Sequence, residues 1–199
     1  HQEINPIVRN YVPERVHWEE DYAQAIGMPT VYDYGPQRIA WFGAGRTEAE
    51  ARAGIVGRGE GTPTIGYLGY SDIGETLHAS GEQSGVSRAS IEAMTADIAR
   101  LRARGDIDFV VVTLHAGTEY SHESTTRQQE LARAAIDAGA DLVVGHHPHV
   151  LQPVEEYRGG LIFYSLGNFV FDLDAEDLDT LGEGPFQSVV AIVSFETGV

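Results

Sequence analysis

The chain has 199 residues, of which 42% are hydrophobic and 22% charged, so it is long and apolar enough for one globular domain with a buried core. Thirty acidic residues stand against 13 basic ones, all of them arginine, and the net charge is −17. Such a surface argues against a nucleic-acid-binding protein and against binding to anionic membranes, because both interactions need clustered positive charge.

Two explanations of the acidic, lysine-free composition stay open: adaptation to high salt, as in halophilic proteins, and a genome that prefers arginine. The absence of cysteine removes thiol nucleophiles, disulfides and thiolate metal sites. No apolar run reaches the roughly 20 residues of a membrane span, and residues 1–10 do not resemble a signal peptide. Because the chain begins with His1, we expect it to be processed, trimmed or a fragment.

The hydrophobic pattern predicts alternating helices and strands. We predict helices where apolar residues recur at helical spacing after a capping residue, and strands where short β-branched runs end at turn residues. In chain order, the predicted elements are a helix over 16–26, a short helix over 47–53, a strand over 64–70, a helix over 91–104, a strand over 109–114, a helix over 126–138, and strands over 141–144, 161–165 and 188–195. The acidic stretch 172–183 is predicted to be a solvated loop. This order favours a single α/β domain over 1–199 with right-handed crossovers.

Histidines are concentrated at the ends of two predicted strands. One histidine, His115, directly follows the strand over 109–114. Three more follow the strand over 141–144: His146, His147 and His149. Open α/β sheets bind ligands at the carboxyl ends of their strands, and neutral imidazole suits zinc, manganese or iron. The pattern predicts a metal site, with the capping of backbone carbonyls as the alternative role.

Other polar residues lie close to these histidines in the sequence. Glu119 is a candidate metal ligand, a candidate hydrogen-bond partner of a metal ligand, or a candidate general base. The alternative interpretation is that Glu119 is an acidic residue exposed on a loop. His122 and Glu123 are predicted to lie on the surface, and Asn168 to hold a turn conformation. Catalysis by a serine nucleophile is disfavoured because the chain has no G-x-S-x-G motif.

Three segments form an ordered block: VVTLHAGTEYSHE (111–123), QQELARAAIDAGADLVVGHHPHVLQPVE (128–155) and LIFYSLGNFVFD (161–172). Together they resemble the CapA family, the poly-γ-glutamate capsule biosynthesis proteins of the calcineurin-like metallophosphoesterase superfamily. The resemblance implies a layered α-β-β-α sandwich with one or two divalent metal ions (Mn, Zn or Fe) at the strand ends. It implies that the metal ligands are His115, His147 and His149, and we group His146 with Glu119 as candidate catalytic residues.

The N-terminal part of the chain departs from this family. The superfamily's G-D motif has no counterpart before residue 31, and Met28-Pro29-Thr30 occupies the place of its asparagine–histidine pair. We therefore expect a domain that lacks part of its N-terminal half, or a degenerate metal site. Candidate substitutes for the absent ligands are Asp33, Asp72 and His17.

Two functions follow from the resemblance. The first is a metal-dependent hydrolase linked to capsule or poly-γ-glutamate synthesis. The second is a non-catalytic protein that binds or assembles the capsule polymer. The expected partner is an anionic small molecule or polymer. The resemblance implies a cell-surface or extracytoplasmic location, whereas the composition also permits a salt-rich cytoplasm.

The net charge leads to a prediction about ionic strength. A surface of charge −17 repels an anionic substrate at long range, and salt shortens that repulsion to a Debye length of about 10 Å at 0.1 M. We predict that binding or turnover of an anionic substrate improves as sodium chloride is added, measured as affinity or initial rate over a salt series. A steep loss with salt would contradict this prediction.

Overall fold

The computed structural model describes residues 31–34, 37–40, 42–57, 62–74 and 76–195. The predicted helix over 16–26, and with it His17, lies outside the described residues. The strands are β1 (Val31–Tyr34), β2 (Gln37–Ala40), β3 (Ala44–Gly45), β4 (Ile55–Gly57), β5 (Ile65–Ser71), β6 (Gly85–Val86), β7 (Phe109–His115), β8 (Leu142–His146), β9 (Val154–Tyr157) and β10 (Gly160–Phe163). The helices are α1 (Glu48–Ala51), α2 (Ile91–Arg102), α3 (Thr126–Asp137), α4 (Ala175–Leu181) and a 3₁₀ turn (Gly184–Phe186).

A six-stranded sheet forms the centre of the described structure. Its strand order is β4-β5-β7-β8-β10-β9, and two separate antiparallel pairs, β1-β2 and β3-β6, form small sheets of their own. Strands β5, β7, β8 and β10 are mutually parallel, and β4 and β9 flank them in the antiparallel direction. The predicted α/β class is therefore confirmed.

Two crossover helices cover one face of the sheet. The connections β5-α2-β7 and β7-α3-β8 both step in the same direction across the sheet, and right-handed crossovers of this kind place their helices on the same face. Helix α2 begins after Ser90, whose hydroxyl accepts a hydrogen bond from the Ala93 amide, and α3 begins with a capping box of Thr125 and Gln128. Both starts confirm the predicted helices.

The core lies between these helices and the central strands. Helix α2 contributes Met94 and Ile98, and α3 contributes Leu131, each completely buried. The strands supply β-branched residues that are equally inaccessible: Val110, Val112, Val143 and Ile162. Strands that are apolar along their whole length are typical of a parallel sheet with covered faces. No helix among the described residues is long and apolar enough to cross a bilayer.

Two predicted elements are wrong. The segment 188–195 is not a strand: Ser188 makes a single bridge to Gly167, and Ile192 is 92% exposed. No described strand pairs with this β-branched run, although the Phe195 ring packs against Phe109 of β7. The acidic stretch 172–183 contains α4, because Asp174 caps the helix by accepting hydrogen bonds from the amides of Glu176 and Asp177.

A buried carboxylate ties helix α2 to the sheet. Asp97 of α2 is 4% exposed and accepts hydrogen bonds from Arg52 Nε (3.0 Å), the Tyr70 hydroxyl of β5 (3.0 Å) and Arg100 (3.3 Å). Burial, and then the charge of Asp97, raise the pKa of Tyr70 well above its usual range. The phenol therefore stays protonated and remains a donor to Asp97.

Removal of this carboxylate is predicted to destabilise the fold. Asp97→Ala leaves the buried Tyr70 hydroxyl and the Arg52 guanidinium without their acceptor, at an expected cost of about 2–3 kcal/mol in the free energy of unfolding. Urea denaturation measures this loss. The matched control is Asp137→Ala, which breaks an exposed pair with Arg158 and is expected to cost less than about 1 kcal/mol. Equal losses in the two variants would contradict the prediction.

Candidate metal centre

The register of the central strands brings two histidines together. His115, the last residue of β7, pairs with His146, the last residue of β8. Their Nδ1 atoms lie 2.8 Å apart, and their ring centroids 4.7 Å apart. A hydrogen bond between two neutral imidazoles requires one nitrogen to donate and the other to accept, so the two rings are held in complementary tautomers.

The turn after β8 carries the other two histidines. His147 and His149 both have positive φ, 106° and 60° respectively, in the left-handed region that side chains with a Cβ rarely adopt. Between them Pro148 is buried, and its carbonyl accepts a 2.7 Å hydrogen bond from the amide of Tyr120. This bond joins the turn to the loop after β7. Strained backbone of this kind persists where surrounding contacts hold it, and it is often found at functional sites.

One carboxylate joins this histidine pair. Each of Glu119, His147 and His149 offers one ligand atom, and these atoms all lie within 4.8 Å of one another. Glu119 is exposed, whereas the two histidines are half-buried. The His115 ring lies 4.6 Å from the His147 ring, centroid to centroid, so all five candidate residues occupy one cluster. Within it, Glu119 completes the three-donor group and His115 contacts His146.

An asparagine orients one of these ligand candidates. Asn168 donates hydrogen bonds from Nδ2 to the carbonyls of His149 (3.2 Å) and Pro185 (2.9 Å). Its Oδ1 is therefore the acceptor that lies 2.8 Å from His149 Nδ1, which makes Nδ1 the protonated nitrogen. The Nε2 atom of His149 keeps its lone pair for a metal. Sequence reasoning gave Asn168 only a turn role, although its place after the next parallel strand was a signal.

The surroundings favour the uncharged form of three of the histidines. Burial, followed by His146, His147 and His149, lowers the pKa of His115 from 6.5 to about 4. The pKa of His146 is also lowered. The main cause is that protein surrounds much of its ring, although one edge reaches solvent, and the second cause is the neighbouring histidines. Burial also lowers the pKa of His147, against an opposing effect of Glu119. Neutral imidazoles are the form that binds metals.

The proposed substitutes for the missing ligands are placed differently. The Asp72 amide donates to the His115 carbonyl (2.9 Å), so its backbone borders the cluster, but its carboxylate pairs with Arg127 at 3.3 Å. Asp33 lies on β1, where only the backbone is described. His122 and Glu123 are exposed, as predicted.

Comparisons with known proteins point to one family. The sequence profile described as "Bacterial capsule synthesis protein PGA_cap" matches residues 29–173. The chain is 42% identical over 153 residues to the PGA biosynthesis protein CapA of Bacillus subtilis, which covers 76% of this chain and 40% of that protein. It is 36% identical over 156 residues to the capsule biosynthesis protein CapA of Bacillus anthracis, covering 76% and 38%. The chain thus spans about two fifths of the length of these relatives.

The lowered pKa of His115 predicts a loss of stability in acid for the metal-free protein. The unfolded chain takes up this proton near pH 6.5 and the folded protein only near pH 4, so the free energy of unfolding is fully present above 6.5 and falls as the pH drops towards 4. Urea denaturation in EDTA across this range measures the effect. His115→Gln is expected to flatten the pH dependence, and the exposed control His122→Gln to leave it in place. An unchanged slope in His115→Gln would contradict the prediction.

Proposed function

The chain belongs to the bacterial capsule synthesis protein family PGA_cap, and on that premise we propose that it is a metal-dependent hydrolase of phosphoester or related bonds that serves capsule synthesis. The observation that carries this proposal is the group of Glu119, His147 and His149, whose ligand atoms lie within 4.8 Å of one another. The family's resemblance to calcineurin-like metallophosphoesterases supports the reaction class. The capsule polymer named by the resemblance, poly-γ-glutamate, gives the biological context.

The donors present fit a divalent transition metal. Two imidazoles, which are borderline donors, and one carboxylate, which is a hard donor, form a set that zinc, manganese and iron accept. His149 is fixed by Asn168 with Nε2 free, and burial keeps His147 neutral. We therefore assign Glu119, His147 and His149 to the metal. Beside them, we assign His115 as a further ligand and His146 as its hydrogen-bond partner. A bound divalent cation would supply Lewis acidity toward a phosphoryl oxygen and toward water near neutral pH.

The residues of the chain have separate tasks in this proposal. His149 and His147 hold the cation from a turn whose backbone cannot relax without breaking the Tyr120–Pro148 hydrogen bond. The His115–His146 pair shares one proton between two nitrogens 2.8 Å apart, so one ring can accept a proton while the other donates. Phe171 lies 4.8 Å from the His149 ring, centroid to centroid, and shields one side of it from water.

A second function is favoured by a different observation. The described residues contain one three-donor group, and the sequence has Met28-Pro29-Thr30 where the superfamily carries an asparagine–histidine pair. A protein with an incomplete metal site would bind or assemble the capsule polymer without cleaving it. Turnover separates the two functions, because only the hydrolase needs the histidines for product formation.

Metal content and turnover test the proposal together. His147→Ala and His149→Ala are each expected to lower the affinity for Mn²⁺ by at least about tenfold. Removing a residue that only hydrogen-bonds to a metal ligand already costs about tenfold or more, and removing a ligand itself should cost at least as much. Calorimetry measures the affinity, and release of p-nitrophenol from bis(p-nitrophenyl) phosphate measures turnover, which is expected to fall in parallel.

The matched control is His122→Ala, which removes an exposed histidine outside the cluster. It is expected to leave both readouts at the wild-type level. Absence of metal binding in the wild-type protein would overturn the metal site. Metal binding without any turnover would favour the polymer-binding function.

A further inference from the structure

A polar groove of about 410 Å³ lies beside the histidine cluster and has no part in it. Most of its walls come from the connection between β5 and α2. The side chains that matter for its chemistry are Thr76, His78, Ser80, Gln83, Arg88 and Glu48 of α1. Hydroxyl, amide, imidazole and guanidinium groups in one groove are suited to binding an anion.

Backbone pairing places this groove on the same edge of the sheet as the histidines. Arg88 lies opposite Ser71, the last residue of β5, in a parallel bridge: the Ser71 amide donates to the Ser87 carbonyl and the Ala89 amide donates to the Ser71 carbonyl, both at 2.8 Å. Ser71 pairs in turn with His115, and His115 with His146. Neighbouring strands are about 4.8 Å apart, so the Cα atom of Arg88 lies roughly 10 Å from that of His115. Paired residues project from the same face, and the row runs in the order Arg88, Ser71, His115, His146.

Arg88 differs from the other described arginines in its contacts. Seven of them pair with a carboxylate within 4.0 Å: Arg52, Arg100, Arg102, Arg104, Arg127, Arg133 and Arg158. In the part of the chain that the structure describes, Arg88 has neither an ion pair nor a side-chain hydrogen bond. This is notable in a protein with 30 acidic residues and 13 arginines. An exposed guanidinium in a polar groove is open to an external anion.

The neighbouring groups leave this charge uncompensated. Glu48 is directed elsewhere, since it contacts Arg52 at 3.6 Å and accepts a hydrogen bond from the Gly81 amide. His78 uses Nε2 for the Ser71 carbonyl, at 3.1 Å, which leaves Nδ1 for another partner. Ser80 and Gln83 bond to each other only through their backbones. Their side chains are exposed and can turn toward a ligand.

We propose that this groove is an anion subsite, in which Arg88 holds a carboxylate of an acidic oligomer while the adjoining part of the same chain reaches the histidine cluster. The proposal rests on the proposed function, because it adds a substrate-binding residue, Arg88, to the same site. A spacing of roughly 10 Å, two strand separations, suits a chain molecule with repeated carboxylates better than a small ion, which cannot contact both places. Arg88 is therefore a binding residue, remote from the reacting bond.

The experiment measures binding of a fluorescein-labelled γ-linked glutamate oligomer to the Mn²⁺-loaded protein by fluorescence anisotropy. Arg88→Gln is expected to weaken binding about tenfold, the lower end for loss of a charge-assisted hydrogen bond. Arg88→Lys is expected to recover part of the affinity, since it keeps the charge and loses the forked geometry. The matched control, Arg104→Gln, removes the same charge at the opposite edge of the sheet, where Arg104 pairs with Asp106. It is expected to leave the affinity near the wild-type value.

The outcomes separate this proposal from the hydrolase proposal. Weaker binding in Arg88→Gln than in Arg104→Gln supports the subsite, whether or not the wild-type protein turns over bis(p-nitrophenyl) phosphate. Lack of that turnover overturns the hydrolase alone. Equal affinities in Arg88→Gln and Arg104→Gln overturn the subsite, as does a wild-type protein that does not bind the oligomer.

Discussion

The in-register pairing of β7 with β8 is the constraint on which the site depends. It places Leu114 opposite Gly145 and His115 opposite His146. A shift of one residue would turn every side chain of a strand to the other face and separate the two rings. Gly145 permits the close approach of the next strand, because a Cβ there would lie 2.1 Å from the carbonyl oxygen of Tyr164. The glycine before the histidines thus has a packing role.

A buried pair of amide side chains connects helix α3 to the loop that follows β7. Gln128 and Gln152 are 2% and 7% exposed, and the Gln128 side chain donates to Gln152 at 2.9 Å. Gln152 in turn donates to the carbonyls of Ser121 and Glu123, in the loop that also carries Glu119. Because both amides are satisfied, the network fixes the loop instead of destabilising the interior. One hydrogen-bond network therefore joins the loop, the capping box of α3 and the segment after the histidine turn.

The sequence predicted the parts of the structure that local signals determine. The strand FVVVTL and the helix after Ser90 were recognised because burial on both faces and a capping serine leave marks on the sequence itself. The exposed run 188–195 was mistaken for a strand, since β-branched residues do not show whether a neighbouring strand exists to pair with. The strand VEEY of β9 was missed because it lies at an edge and is half polar. The tendency of a segment to form a strand can be read from its residues, whereas the strand that it pairs with is determined by the tertiary structure.

For the candidate site, the sequence predicted which histidines lie close together and did not predict how they are arranged. The histidines at two strand ends could be expected to meet, because parallel strands end at one edge. The bond between Asn168 and His149 spans 19 residues and depends on the path of the chain after β10. The three-donor group with Glu119 includes two histidines with positive φ, His147 and His149. A positive φ at a residue other than glycine cannot be predicted from the residue pattern. Recognition of the cluster came from sequence, and its internal arrangement from the fold.

The distribution of charge completes the physical picture of this edge. Most described arginines are neutralised by carboxylates, and the pKa shifts of His115, His146 and His147 keep these three side chains uncharged at neutral pH. These three side chains therefore add no positive charge to the cluster, in a protein of net charge −17. In the function and the subsite that we propose, attraction for an anion comes from a cation held by the histidines and from Arg88 in the adjoining groove. Both charges are local, so our proposals place the attraction for an anion along the row from Arg88 to His146, against the long-range repulsion of the net charge.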